Sequence, residues 1–274
     1  MPKNPLKLDD GEQLAYFESG GSWCYMRTPA AYKATRGKAV PLIIRCRGYG
    51  GFVRMGYTEW MDRPGSKMII DALVEKGFAV AGSDLSGDHW GRPAGVAANV
   101  SLYNFLMDNT NVDAARVGMF TGAGMGGTAL WNSVIGPLHG KVKGVVMLQA
   151  VVSLAGMFPA WRRNVMEAYG LALNTDDAVA IASLAQNDPL LQTQNLLSVK
   201  GAAFTKGLPE VYWLHGEKDK PVNYEANAAA LTRLLKKHGV ACTLKGYKDK
   251  GHDLHLMPEE MTKLITAFFV KILD

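Results

Sequence analysis

The stretch Arg116-Val117-Gly118-Met119-Phe120-Thr121-Gly122-Ala123-Gly124-Met125-Gly126-Gly127 sends an apolar strand pattern straight into a glycine-rich turn, and a helical pattern over 125–134 follows at once. A strand that becomes a helix without a linker brings two backbones close together, which is why glycine gathers there. As spelled, Gly122-x-Gly124-x-x-Gly127 also matches the dinucleotide fingerprint, in which backbone N–H groups and a helix N-terminus approach a pyrophosphate. Its setting argues the other way. That fingerprint opens a first βαβ unit, whereas at least two strand patterns precede this one. The acidic ribose ligand expected about 20 residues further on is replaced by Gln149. Dinucleotide binding through Gly122 to Gly127 is therefore a remote alternative.

Outward from the turn, strand and helix patterns alternate. Upstream, Leu42-Ile43-Ile44 closes on Arg47-Gly48-Tyr49-Gly50-Gly51, and a helix over 68–76 is stopped by Gly77. Phe78-Ala79-Val80-Ala81 then ends in the polar loop Ser83-Asp84-Leu85-Ser86-Gly87-Asp88-His89-Trp90-Gly91, before a helix over 96–107. Downstream, Gly144-Val145-Val146-Met147-Leu148 reads as the next strand. From 151 to 207 no clean strand is seen, only helical stretches over 161–171 and 176–185. The alternation resumes with Val211-Tyr212-Trp213-Leu214-His215, a helix over 224–238, a strand over 241–247 and a last helix over 258–273. Such a rhythm predicts an α/β fold with a mostly parallel central sheet and helices on both faces. Residues 1–150 and 208–274 would form its core, with 151–207 a helical cap inserted between late strands.

Composition narrows the class. At 274 residues the chain is near the upper limit for one core, and 48% hydrophobic against 20% charged residues is the balance of an ordinary globular protein. The net charge of +5 is spread without a block of like sign, so it predicts no nucleic-acid partner, although it favours anionic substrates. Cys24, Cys46 and Cys242 are too few and too scattered for a disulfide framework. The start, Met1-Pro2-Lys3-Asn4-Pro5-Leu6-Lys7, lacks an apolar signal region, and no run approaches the ~18 apolar residues that span a membrane. A cytoplasmic protein without a membrane partner is expected, and its oligomeric state stays open. Six scattered histidines and no paired-cysteine spacing predict no metal, and no cofactor is called for.

The glycine turn has a second reading, the nucleophile elbow G-x-S-x-G with glycine in the serine's place. Gly122 and Gly126 stand at the outer positions, where small residues are required, and Gly127 adds room. Acyl transfer needs in addition an acid, a base and oxyanion donors, in the chain order nucleophile, acid, histidine. Asp219 lies in His215-Gly216-Glu217-Lys218-Asp219-Lys220-Pro221-Val222, after the next-to-last strand, with Glu217 and Asp253 as possible substitutes. His252 lies in Gly251-His252-Asp253, after the last strand, and His255 is its nearest rival. The turn Gly48-Tyr49-Gly50-Gly51 follows an early strand, where oxyanion donors belong. All four segments fall at strand C-terminal ends, the edge where open α/β sheets place their sites. Asp84 is a further rival acid that reads more simply as a turn residue.

With these motifs the chain resembles the α/β-hydrolase fold superfamily over roughly residues 14–274. The loop Gly87-Asp88-His89-Trp90-Gly91 is similar to that of a bacterial or phage-associated hydrolase subgroup. Arg47 stands where many members have histidine, and Gly124 stands at the serine. The resemblance implies an esterase-like serine hydrolase acting on a small-molecule ester or related acyl bond. Gly124 would be the nucleophile position, Asp219 the orienting acid, His252 the base, and Met125 with Tyr49 or Gly50 the oxyanion donors. Trp90, with His89, and the cap residues Phe158, Trp161, Arg162 and Arg163 are candidate substrate contacts. Three meanings of Gly124 stay open: a hydrolase whose nucleophile has been replaced, a natural ligand- or partner-binding member such as the synaptic adhesion proteins, and a His252–Asp219 general base that needs no covalent intermediate.

Overall fold

The computed structural model describes residues 6–35, 37–122 and 124–274; residues 1–5 of the polar start and Ala123 of the glycine turn lie outside the described residues. The chain opens with strands β1 (Gln13–Ser19) and β2 (Ser22–Thr28), a hairpin turning at Gly20-Gly21. The pattern reading above had assigned no element there. Next come β3 (Val40–Cys46), the short hairpin β4 (Val53–Arg54) and β5 (Tyr57–Thr58), α1 (Glu59–Asp62), α2 (Pro64–Glu75) and β6 (Ala79–Ser83). They are followed by α3 (Pro93–Asn109), β7 (Val112–Thr121), α4 (Gly126–Ile135) and β8 (Gly144–Leu148). The helices α5 (Leu154–Tyr169), α6 (Asp177–Leu184) and α7 (Pro189–Thr205) fill the strand-free interval. The chain closes with β9 (Glu210–Gly216), α8 (Ala230–Lys237), β10 (Cys242–Tyr247) and α9 (Pro258–Leu273).

Eight strands form one sheet in the order β1-β2-β6-β3-β7-β8-β9-β10, and every pairing from β6 to β10 is parallel. Only β2 runs against the rest. Successive residues point to opposite faces, and both faces are apolar because both are covered. In β3, Leu42 and Ile44 join the layer beneath α3, α4 and α8, where Leu106, Trp131 and Leu235 pack. Ile43 between them joins the opposite layer, under α2 and α9, with Leu73 and Phe269. From β3 the chain moves to β6 on one side, then returns to β7 on the other, with α2 and α4 on opposite faces. A sheet that reverses in this way opens a crevice beyond the C-terminal ends of the strands flanking the reversal.

The interval between β8 and β9 divides in its packing. Leu197 and Phe204 of α7 lie in the same apolar layer as α3 and α4, and Trp131 Nε1 donates to Thr193 Oγ1 at 2.8 Å. Leu154, Met157, Phe158, Val165 and Met166 of α5 and Ala180 and Leu184 of α6 instead form a separate cluster around Trp90, Met125 and Val222, above the crevice. Two residues after Pro159, Trp161 leaves helical geometry (φ −125°, ψ 23°), so α5 kinks there.

Candidate active site

Gly124 caps the switch from β7 to α4 in left-handed conformation, φ 52°. A side chain there would be strained by the backbone but would meet nothing, because a Cβ built on Gly124 has no heavy atom within 4 Å. Its neighbours are the reverse. A Cβ on Gly126 would stand 2.5 Å from the Arg47 carbonyl and 2.8 Å from that of Cys46, and one on Gly122 would drive into the Trp60 ring. The outer glycines are thus required by space, whereas the central one is required by nothing around it. The elbow is pinned from behind: Gly124 N–H donates to the Gln149 carbonyl at 2.8 Å, and Val151 N–H donates to the Gly124 carbonyl at 2.9 Å.

Across the crevice, His252 Nδ1 lies 2.7 Å from Asp219 Oδ2. The carboxylate can only accept, so Nδ1 carries the proton and Nε2 is the free ring nitrogen. Asp219 Oδ2 also accepts from Gln149 Nε2 at 2.9 Å and faces His215 Nε2 at 3.3 Å, while Oδ1 accepts from Val222 N–H at 2.8 Å. The tautomer of His215 follows from its other nitrogen. Nδ1 accepts from Trp213 Nε1 at 3.1 Å, so Nε2–H points at the Val222 carbonyl, 2.9 Å away, and at Asp219. Burial alone would raise the Asp219 carboxyl; the hydrogen bonds of His215 and His252, the charge of His252 and the Val222 N–H outweigh it and hold the group well below the usual carboxylate range. Asp219 is therefore a fully solvated-by-protein anion with its side chain completely enclosed.

Tyr49, Trp90, Gly124, Met125, Trp161 and His252 all line one cavity of about 460 Å³, and Asp219 stands directly behind His252. The volume is in the range of small-molecule sites. Met125 N–H, at the start of α4, and Tyr49 N–H have no acceptor among the described residues. Gly50 departs from expectation: its N–H is taken by Asp88 Oδ1 at 3.2 Å, and the residue does not line the cavity. Arg47, buried where a histidine was the usual expectation, secures this turn by donating to the carbonyls of Asp84 and Gly48 and to Asp88 Oδ1. Asp84 accepts from the N–H groups of Val53 and Gly87 and is a turn residue.

Four candidate substrate contacts lie elsewhere. Phe158 is buried inside the α5–α6 cluster, because the kink turns Trp161 to the cavity and Phe158 away from it. Arg162 donates to Asp177 Oδ1 and to the carbonyls of Leu173 and Thr175, tying α5 to the loop before α6. His89 is enclosed next to Gly95, and its neighbour Trp90 alone reaches the cavity. Arg163 pairs with Glu167 in solvent.

Sequence reasoning passed over the residue that connects the parts. Gln149 follows β8 with a left-handed φ of 45°; its Nε2 donates to Asp219 and to the Gly251 carbonyl, and its Oε1 accepts from Leu254 N–H. With its carbonyl under Gly124, it joins the elbow, the acid loop and the histidine loop. Its place at a strand C-terminal end was the available signal. Among the described residues no group of three His, Cys, Asp or Glu side chains could hold a metal ion, and no helix is long and apolar enough to cross a membrane.

This order of strands and the crevice at its reversal define the α/β-hydrolase fold. The chain matches solved structures of that fold along nearly its whole length. They include Pyrococcus horikoshii acylaminoacyl peptidase (TM-score 0.69, 13% identity, 97% of this chain and 42% of that one) and a Mycobacterium tuberculosis puromycin-hydrolyzing peptidase (0.72, 13%, 96% and 39%). A truncated carbohydrate esterase from gut microbiota is matched end to end (0.71, 16%, 98% and 99%). The chain spans about two fifths of the peptidases it matches. No described protein family and no curated protein matches the sequence.

Proposed function

We propose that this protein is a serine-hydrolase-type scaffold for a small ester or related acyl compound, with its acid–base pair and oxyanion donors in place and its nucleophile position held by Gly124. Such a chain binds its ligand and turns it over weakly or not at all. The observation that carries the reading is the contrast at Gly124: a left-handed elbow with open space for a side chain, lining the same cavity as a histidine held 2.7 Å from a buried carboxylate. The peptidases and the esterase that share the fold supply the bond class, amide or ester. In the serine form, the hydroxyl oxygen would bond to the acyl carbon as its proton passes to His252 Nε2, and His252 would return that proton to the leaving oxygen or nitrogen. Met125 N–H and Tyr49 N–H would bind the oxyanion, and of the interval 151–207 the α5–α6 part would serve as the cap.

The open space also favours a second reading, in which a water there replaces the serine. His252 would take the water proton as its oxygen bonds to the acyl carbon, then pass the proton to the leaving group.

Gly124→Ser separates the readings. It should create p-nitrophenyl ester hydrolysis and fluorophosphonate labelling, at a strain cost of about 1–3 kcal/mol. In that background His252→Ala should abolish both, and Asp219→Asn should slow hydrolysis by about 10⁴-fold through the wrong tautomer. A folded Gly124→Ser protein that neither labels nor hydrolyses short esters overturns the first reading. Turnover by the unmodified chain that is lost with His252→Ala establishes the second.

A further inference from the structure

The cavity lining holds two unlike groups of residues. One is aromatic, where Tyr49, Trp90 and Trp161 pack at centroid distances of 5.2 to 5.8 Å. The other is polar, a rim made by Arg63 and Ser66 at the start of α2 and by His255 before α9. These two segments touch: a Cβ on Gly65 would lie 3.1 Å from Pro258 Cβ and 3.8 Å from the His255 carbonyl, so they form one continuous rim.

The charges lining the cavity do not cancel. Glu59 is its only carboxylate among the described residues, and it is already matched: Oε1 accepts from Arg45 at 2.7 Å, with both side chains buried, and Oε2 accepts from Phe52 N–H. The Arg63 side chain has no ion-pair or hydrogen-bond partner among the described residues; Asp71 is engaged by Lys67 and Arg27 and Glu260 by Lys245 and Tyr247, whereas Asp253 Oδ1, in the His252 loop, is buried without a hydrogen-bond partner. An arginine presents a planar fork of donors that fits a carboxylate with two parallel hydrogen bonds. The surplus of +5 over the whole chain adds a field of the same sign.

We infer that the cavity selects acyl compounds bearing a second, free carboxylate, such as monoesters or monoamides of dicarboxylic acids, and that Arg63 is the residue that binds this carboxylate. The inference rests on the acyl-binding reading of the site but is tested apart from turnover. Arg63 takes no part in the acid–base pair, the elbow or the oxyanion donors. Its removal therefore changes which ligand binds and leaves the reacting groups as they are.

The binding arm uses the unmodified chain with glutaric acid monoanilide and its neutral carboxamide analogue, titrated by calorimetry and by quenching of tryptophan fluorescence. The acid should bind about tenfold more tightly than the amide, because an exposed guanidinium in a half-enclosed site contributes a charge-assisted pair without full burial. Arg63→Gln should bring the two ligands to within about twofold, and raised salt should narrow the gap in the parent protein. Equal affinity of acid and amide, or a preference that survives Arg63→Gln, overturns the inference. The turnover arm uses Gly124→Ser with 4-nitrophenyl hydrogen glutarate and 4-nitrophenyl valerate. An Arg63-dependent preference in binding with no hydrolysis of either ester supports the carboxylate rim and overturns the hydrolase reading. Equal hydrolysis of both esters overturns the rim and leaves the hydrolase reading standing.

Discussion

The two sides of the cavity floor are built by different means. On the β9–β10 side the site is made of side chains, each with its partners: Asp219 receives His252, Gln149, His215 and the Val222 N–H, and each of those is fixed in turn. On the β3–β7 side it is made of backbone. The elbow and the turn at Gly48–Gly51 keep their shapes through glycine contacts and through Arg47, and Gly124 offers the cavity no side chain. The comparison teaches that a strand–helix elbow forms with glycine at its centre. Its geometry is imposed by the flanking glycines and by the carbonyl of Gln149, so the conformation does not depend on a side chain at position 124.

Adding a single methyl group at each of two sites on the backbone side tests this directly. Gly126→Ala puts a Cβ against two main-chain carbonyls that cannot yield, and it should cost about 3 kcal/mol in urea unfolding or prevent folding. Gly124→Ala, two residues away, should cost only about 1 kcal/mol, the strain of a left-handed alanine. Equal costs would mean that the elbow is not held from outside.

Acid should unmake the two sides in different windows. Burial, with the charges of Arg47 and Arg92 adding to it, pushes His89 from 6.5 down to about 3. The unfolded chain thus takes up that proton first, and stability on the Arg47 side is full above pH 6.5 and lost as pH falls toward 3. At pH 5 the loss should be about 2 kcal/mol, and His89→Leu should remove this slope. Asp219 is depressed from 3.8, so its contribution persists down to that pH and is lost only below it. Urea midpoints at pH 7, 5 and 3.5 for the parent, His89→Leu and Asp219→Asn give the check; a parent protein that holds its midpoint from pH 7 to 5 would contradict the His89 window.

The smallest expected effect belongs to Gln149. In the Gly124→Ser background, Gln149→Leu should lower kcat about tenfold with KM little changed, because the hydrogen bond to the buried carboxylate is lost together with those to the Gly251 carbonyl and from Leu254 N–H, while no cavity-lining group changes. A change confined to KM would place Gln149 in ligand binding instead.

Legibility in the sequence followed the kind of information each feature carries. That Gly124, Asp219 and His252 come together at one cavity was readable because strand ends and chain order fix where they stand. The hairpin β1–β2 was not assigned although Gly20-Gly21 marks its turn, since its strands mix polar and apolar residues on both faces. Gly50 was placed among the donors because a glycine turn shows which N–H groups exist but not where each points, and Asp88 claims that one. Phe158 and Arg162 were offered as ligand contacts on residue type, and each is instead taken up within the α5–α6 region, by packing or by hydrogen bonds. Pro159 was visible, but the rotation that the kink gives Trp161 depends on what lies beneath it. Gln149 carries a left-handed backbone and a polar side chain, and neither is encoded by any spacing rule.

The open space at Gly124 also sets a mutational distance. A glycine codon that ends in a pyrimidine becomes a serine codon by one base change, and at this position no neighbouring atom has to move to receive the new side chain. Rebuilding a lost Asp219–His252 pair with its ring of donors would take several changes made together, each without benefit until the last. Of all the parts that such a site needs, a side chain at position 124 is the one most readily supplied.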